Sequence, residues 1–316
     1  MGSFFKSLFG GGTDAGEKPE EKEKERKFDV LKYDGIKALK IRKVGYAIRC
    51  FNEALNLKEE AETLEYLALA HIQQGENKEA IEAYNRLAIL VPEDTDTFLK
   101  RAQLYLQEEQ SENAIEDCQY VLQHTPDYRA FLLLANAQNK LGDTANAINN
   151  LTQAAELKND VMDIFLLRAA AYHKLERYDN ALDDINRAIE LAPEEEAAYM
   201  QRAKIQEHFR NYEAALQDYA TVTSLNPFHE QAYLESGRLL MENQRIDEAI
   251  QYFDEALEIK PDFGKAYLAR AEAKRLKGDS EGAQKDVETG SALCSETDDE
   301  TKCPVNFDNL YANRPL

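Results

Sequence analysis

Tryptophan is missing altogether, and the two commonest helix breakers are scarce, with 14 Gly and 8 Pro in 316 residues. Beside abundant Ala, Leu, Glu and Lys, that scarcity points to helix. Basic residues are outnumbered, 38 Lys and Arg against 59 Asp and Glu, giving a net charge of −21. Such a surface as a whole cannot serve phosphate, because nucleic-acid binding needs a net or local basic footprint. The four cysteines, Cys50, Cys118, Cys294 and Cys303, form no CxxC and no Cys/His metal spacing. Reduced thiols in a cytoplasmic setting are the expectation. No segment approaches the roughly 20 apolar residues that a membrane-spanning helix requires. The opening "MGSFFKSLFGGG" has no basic region before its apolar residues, which argues against a secretory signal. Lys6 stands where a myristoylation pattern wants Ser or Thr.

What is present is periodic. The stretches "RYDNALDDINRAIELAP", "NYEAALQDYATVTSLNP" and "RIDEAIQYFDEALEIKP" follow one another at steps of 34 residues. Their shared alanine belongs to a longer series: Ala47, Ala80, Ala114, Ala147, Ala181, Ala215, Ala249 and Ala283. The steps are 34 residues apart from two of 33. Four residues after each Ala comes Phe51, Tyr84, Cys118, Leu151, Ile185, Tyr219, Phe253 or Val287. Twelve residues before each sits a second small residue, from Gly35 and Ala68 through Gly237 and Ala271.

Close packing of two helices explains the pattern. Each unit reads as an amphipathic helix, a short turn, a second amphipathic helix and a stop. The small residues mark where backbones approach, and a Leu there would overfill the contact at about 1–3 kcal/mol or more. Pro92, Pro126, Pro193, Pro227 and Pro261 follow the second helix, ending it through a missing N–H and a fixed φ. A lone helix pair cannot bury both faces, so neighbours must stack.

This spacing resembles the tetratricopeptide repeat family: a 34-residue helix pair with small residues at positions eight and twenty, an aromatic near twenty-four and Pro near thirty-two. The resemblance covers units 28–60, 61–94, 95–127, 128–161, 162–195, 196–229, 230–263 and 264–297. It implies an all-α fold, a right-handed α-α superhelix of antiparallel helix pairs. The family's Trp at position four is replaced by Leu31, Leu64, Phe98, Phe131, Phe165, Tyr199, Tyr233 and Tyr267. Glu59, Asn159 and Ser295 occupy proline positions, and Gly290 replaces a core residue.

Comparing the repeats with each other isolates a further pattern. Arg101, Arg168, Arg202 and Arg270 stand at the seventh position, each with an Asp sixteen residues on: Asp117, Asp184, Asp218 and Asp286. The other four units have neither residue. Two readings are open, an inter-helix ion pair with fork geometry or two separately solvated charges.

The flanks differ. In residues 1–12, Phe4, Phe5, Leu8 and Phe9 would cluster on one side of a short helix, an apolar hook tethered by the charged linker 13–27. Weak membrane or partner docking competes there with a frayed terminus or an intramolecular staple. The tail 298–316 carries Phe307, Leu310 and Tyr311, placed either on the last repeat or in the groove.

By analogy with the family, positions two, five, six, nine, twelve and thirteen of each first helix line a concave groove. The fourth to seventh units supply Arg129, Leu132, Leu133, Asn136, Asn139, Lys140, Leu166, Leu167, His173 and Lys174. They continue with Met200, Gln201, Lys204, His208, Leu234 and Arg238. Leu and Met would bury apolar side chains, the two Asn would bond a peptide backbone, and the basic heads would attract carboxylates. The family's clamp for a chaperone C-terminus is unsupported, because Leu132 and Leu167 replace two of its polar residues. No constellation of catalytic groups accompanies the five histidines, and no cofactor or metal is implied. The expected function is a non-catalytic adaptor that holds partner peptides, acidic ones among them, in the groove. The alternative is an assembly scaffold docked at the inner membrane surface through the Phe/Leu hook.

Overall fold

The computed structural model describes residues 19–295, which form 16 α-helices and no strand. The apolar hook and the C-terminal tail lie outside the described residues. The chain divides at Leu157/Lys158 into two compact units. In the first, α1 (Pro19–Lys40) pairs with α2 (Val44–Leu57), and α3 (Ala61–Gln74) with α4 (Asn77–Leu90). Next, α5 (Thr95–Gln107) pairs with α6 (Ser111–His124), and α7 (Tyr128–Lys140) with α8 (Thr144–Leu157). The second unit pairs α9 (Met162–Lys174) with α10 (Tyr178–Leu191) and α11 (Glu196–His208) with α12 (Tyr212–Leu225). Its last pairs are α13 (Glu230–Glu242) with α14 (Ile246–Ile259) and α15 (Gly264–Lys277) with α16 (Ser280–Ser295). Because α1 starts at Pro19, the end of the charged linker is helical.

The alanines sit where the spacing placed them: Ala181 and its seven counterparts are at most 3% exposed. Two repeats replace the other small residue by glycine, and these are the two with Phe four residues after the alanine. A methyl group at Gly35 would stand 2.5 Å from Phe51 Cε1, and one at Gly237 would stand 2.7 Å from Phe253 Cδ1. Both rings are fully buried. Ring and glycine are therefore matched within a repeat.

The turn between paired helices is also repeated. At the fifteenth position of every unit φ is positive: Arg42, Gly75, Glu109, Gly142, Glu176, Arg210, Gln244 and Gly278. The next residue's N–H then reaches five residues back, as in Lys43 N to Ala38 O at 2.8 Å and Arg177 N to Tyr172 O at 2.9 Å. This is a Schellman closure, which satisfies carbonyls that the first helix leaves open.

The Arg–Asp concordance is an ion pair in all four repeats. Each guanidinium donates through Nε and Nη2 to the two carboxylate oxygens, at 2.5–2.9 Å. The four Asp are buried. Nη1 of Arg101, Arg202 and Arg270 also donates backwards, to Asn85, Asn186 and Asp254 of the preceding repeat. Burial holds the Asp117 carboxyl above its ordinary value despite Arg101. At Asp286 burial pulls the same way, but Arg270 and Lys274 together bring it below. Lys274, 2.8 Å away, is the added cation.

Cys50 and Cys118 are buried free thiols. Burial pushes the Cys118 thiol up to about 12, with Asp117 adding to the effect. Since the thiolate is the nucleophile, a maleimide reagent should leave Cys118 unlabelled in the native chain. Peptide mapping after a pulse long enough to label the denatured chain checks this; native labelling would show that this core opens readily.

Candidate functional site

The first helices of neighbouring repeats meet: α1 with α3 and α5 with α7 in the first unit, α9 with α11 and α13 with α15 in the second. Each unit thus presents its own first-helix face, and the proposed groove residues divide between the two.

In the first unit Leu132, Leu133 and Asn136 are half-buried along α7, and Leu133 leans on the core around Leu134. Lys140 is engaged already, its Nζ donating to Leu106 O at 2.7 Å. Arg129 is held by Asp127 and Asp96 at 2.7 and 2.8 Å. Asn139 is half-buried, and its Oδ1 is buried without a hydrogen-bond partner.

The same face carries residues that the groove assignment left out, on α1 and α3. Tyr33, Leu69 and Ile72 are exposed there, at 59%, 41% and 37%. They stand at positions six, nine and twelve of their repeats, and Ile36, Leu39 and Tyr66 lie half-buried among them. The positional rule would have found them had it been applied to the first three units.

In the second unit Leu166, Leu167, Met200 and Gln201 are half-buried, and Lys174 and Lys204 are exposed. Leu234 is a correction: it is fully buried in the core with Phe253 and Leu257, and offers a ligand no surface. His173 and His208 are drawn together by Tyr178, which stacks on His208 with centroids 3.8 Å apart and meets His173 edge-on at 5.4 Å. Phe209 completes the cluster.

The basic lining of this unit is countered by carboxylates. Arg238 lies 3.6 Å from Glu235. Glu207 accepts a hydrogen bond from the buried Tyr219 hydroxyl. Burial, with Glu235 and Glu242 nearby, raises the Glu207 carboxyl above its ordinary value. Among the described residues no group of three or more His, Cys, Asp or Glu could hold a metal, and no helix is long and apolar enough to cross a membrane.

Family models described as "Tetratricopeptide repeat" match residues 35–95 and 200–262, residues 128–161, and residues 163–195. The chain belongs to the tetratricopeptide repeat family. No curated protein matches it in sequence. Solved tetratricopeptide structures resemble it in fold. One is the C-terminal part of a repeat protein from Cytophaga hutchinsonii, with TM-score 0.61 and 16% identity over 76% of this chain and 97% of that one. Another is a tetratricopeptide repeat protein from Parabacteroides merdae, with TM-score 0.59 and 16% identity over 77% of this chain and 95% of that one. MamA (residues 41 to its end) from Desulfovibrio magneticus RS-1 has TM-score 0.50 and 16% identity, over 54% and 97%. At such identities the likeness is one of fold. The tetratricopeptide face described above is this chain's own.

Proposed function

We propose that the protein is a non-catalytic interaction adaptor, and that the first-helix face of its first unit takes a segment of a partner protein. The observation that supports this reading is the exposure of Tyr33, Leu69 and Ile72 on helices that touch one another. Large apolar side chains cost free energy in water, and a contiguous set on a soluble protein marks a contact surface. The half-buried Leu132, Leu133 and Asn136 extend the lining on α7. The ligand chemistry that fits is an apolar side chain or two on an extended or helical peptide, with amides beside it. Acidic ligands are disfavoured as the main class, because Lys140, Arg129 and Arg238 already face oxygen acceptors.

A displayed peptide library panned against the full chain supplies the probe. The double variant Leu69→Glu/Ile72→Glu should weaken the selected peptides by about tenfold or more, roughly 1.4 kcal/mol. Charge reversal of Lys140, Lys174, Lys204 and Arg238 should weaken them less. Equal binding to wild type and the Leu69/Ile72 variant would exclude this face. A loss confined to the charge-reversed chain would restore the acidic-ligand reading.

A further inference from the structure

The third position of each repeat is a buried packing site, with one exception. From Thr63 to Ala266 its seven later occupants are at most 1% exposed, whereas Val30 in the first repeat is 54% exposed. The tenth position behaves alike: Ala70, Leu104, Ala137, Ala171, Ile205, Leu239 and Ala273 are all buried, and Lys37 is open. Val30 and Lys37 lie two turns apart on one side of α1, and Ile41 follows just past its end. Ile41 and Tyr46 are 64% and 47% exposed and border a shallow concavity with Asp34, Lys37, Ala38 and Lys43. Among the described residues no helix covers it. The first repeat therefore leaves open, at Val30 and Lys37, two positions that every later repeat buries, with Ile41 and Tyr46 exposed beside them at this end face.

We infer that residues 4–9 of the same chain cover this end face, with Phe4, Phe5, Leu8 and Phe9 against Val30, Ile41 and Tyr46. Their apolar side chains are what this face lacks, and only one charge, Lys6, interrupts them. The geometry permits it. Residues 10–18 can span up to about 30 Å, while the path back from Pro19 to Tyr33 along α1 is roughly 21 Å at helical rise. Gly10, Gly11 and Gly12 allow the chain to reverse sharply. A tether this short keeps the segment at millimolar effective concentration, so a modest apolar contact suffices to hold it. This surface is the end of the stack and not the peptide face proposed above. The inference stands independently of that reading.

The test uses the full chain with Tyr46→p-benzoylphenylalanine, irradiated and mapped by mass spectrometry. Cross-links from position 46 to residues 1–12 within a monomer are expected, at a yield that does not change with protein concentration. Replacing Phe4, Phe5, Leu8 and Phe9 by Ser should lower that yield by about tenfold. Circular dichroism confirms that both chains are folded. Absence of such cross-links above the serine variant would overturn the inference. Cross-linked dimers whose yield rises with concentration would do so too, by assigning the face to a second copy. So would flotation with phosphatidylglycerol–phosphatidylethanolamine vesicles that the serine variant loses, by placing the segment in a bilayer. The Leu69→Glu/Ile72→Glu variant should cross-link normally, which separates this result from failure of the peptide face.

Discussion

Asp184→Ala is expected to cost about 3–5 kcal/mol of stability, the usual result of orphaning one member of a buried ion pair. The carboxylate side chain is 8% exposed and the Arg168 guanidinium 16%, so water cannot replace the lost partner cheaply. Both fork hydrogen bonds, each 2.7 Å long, are broken at once. The pair itself is worth far less than its breakage suggests, because two desolvated charges largely offset their own attraction. Arg168→Met/Asp184→Leu should therefore recover most of the loss. Urea unfolding of the three chains checks both statements. Stacked repeats need not unfold in one step, so hydrogen exchange in α9 and α10 should accompany it. A single-variant loss under about 1 kcal/mol would mark the pair as a solvated one.

Gly237→Ala should destabilise by about 2 kcal/mol, against the usual sign. Alanine ordinarily stabilises a helix interior over glycine by roughly 0.5–1 kcal/mol. Here the new methyl meets the Phe253 ring, which is enclosed on all sides. Gly45 on α2 is the control, since nothing lies within 4 Å of a methyl placed there. Gly45→Ala should be neutral or mildly stabilising. Adding Phe253→Leu to Gly237→Ala reproduces a pairing found in the fourth repeat, Ala135 with Leu151, and should restore much of the loss. If Gly237→Ala gains stability, the ring has room to move and the matched pair is accidental.

These two features mark how far the sequence could be read. Spacing located the alanines because a backbone contact admits no large side chain, so the constraint leaves the same letter each time. The Arg–Asp pairs were visible because both members come and go together between repeats. The left-handed turn residue was not visible. It is glycine in only three repeats and Arg, Glu or Gln in the others, a tolerable strain that five charged or amide side chains bear at the surface. Position also failed to separate groove from core at Leu234, whose depth is set by the Phe253 ring against it. Nor could spacing show that Lys140 reaches a carbonyl on the preceding repeat or that Tyr178 gathers the two histidines. Such contacts depend on side-chain reach across helices, which no single repeat records.

The backward reach of the Arg fork has a consequence for how such a chain can evolve. Arg101, Arg202 and Arg270 each find Asn or Asp on the module before them. A duplicated or transposed module that arrived behind Ala220, which fills that place on another repeat, would leave a polar hydrogen pointing at a methyl group. Neighbours are chosen, and the order of modules resists shuffling even though each looks like a copy of the last.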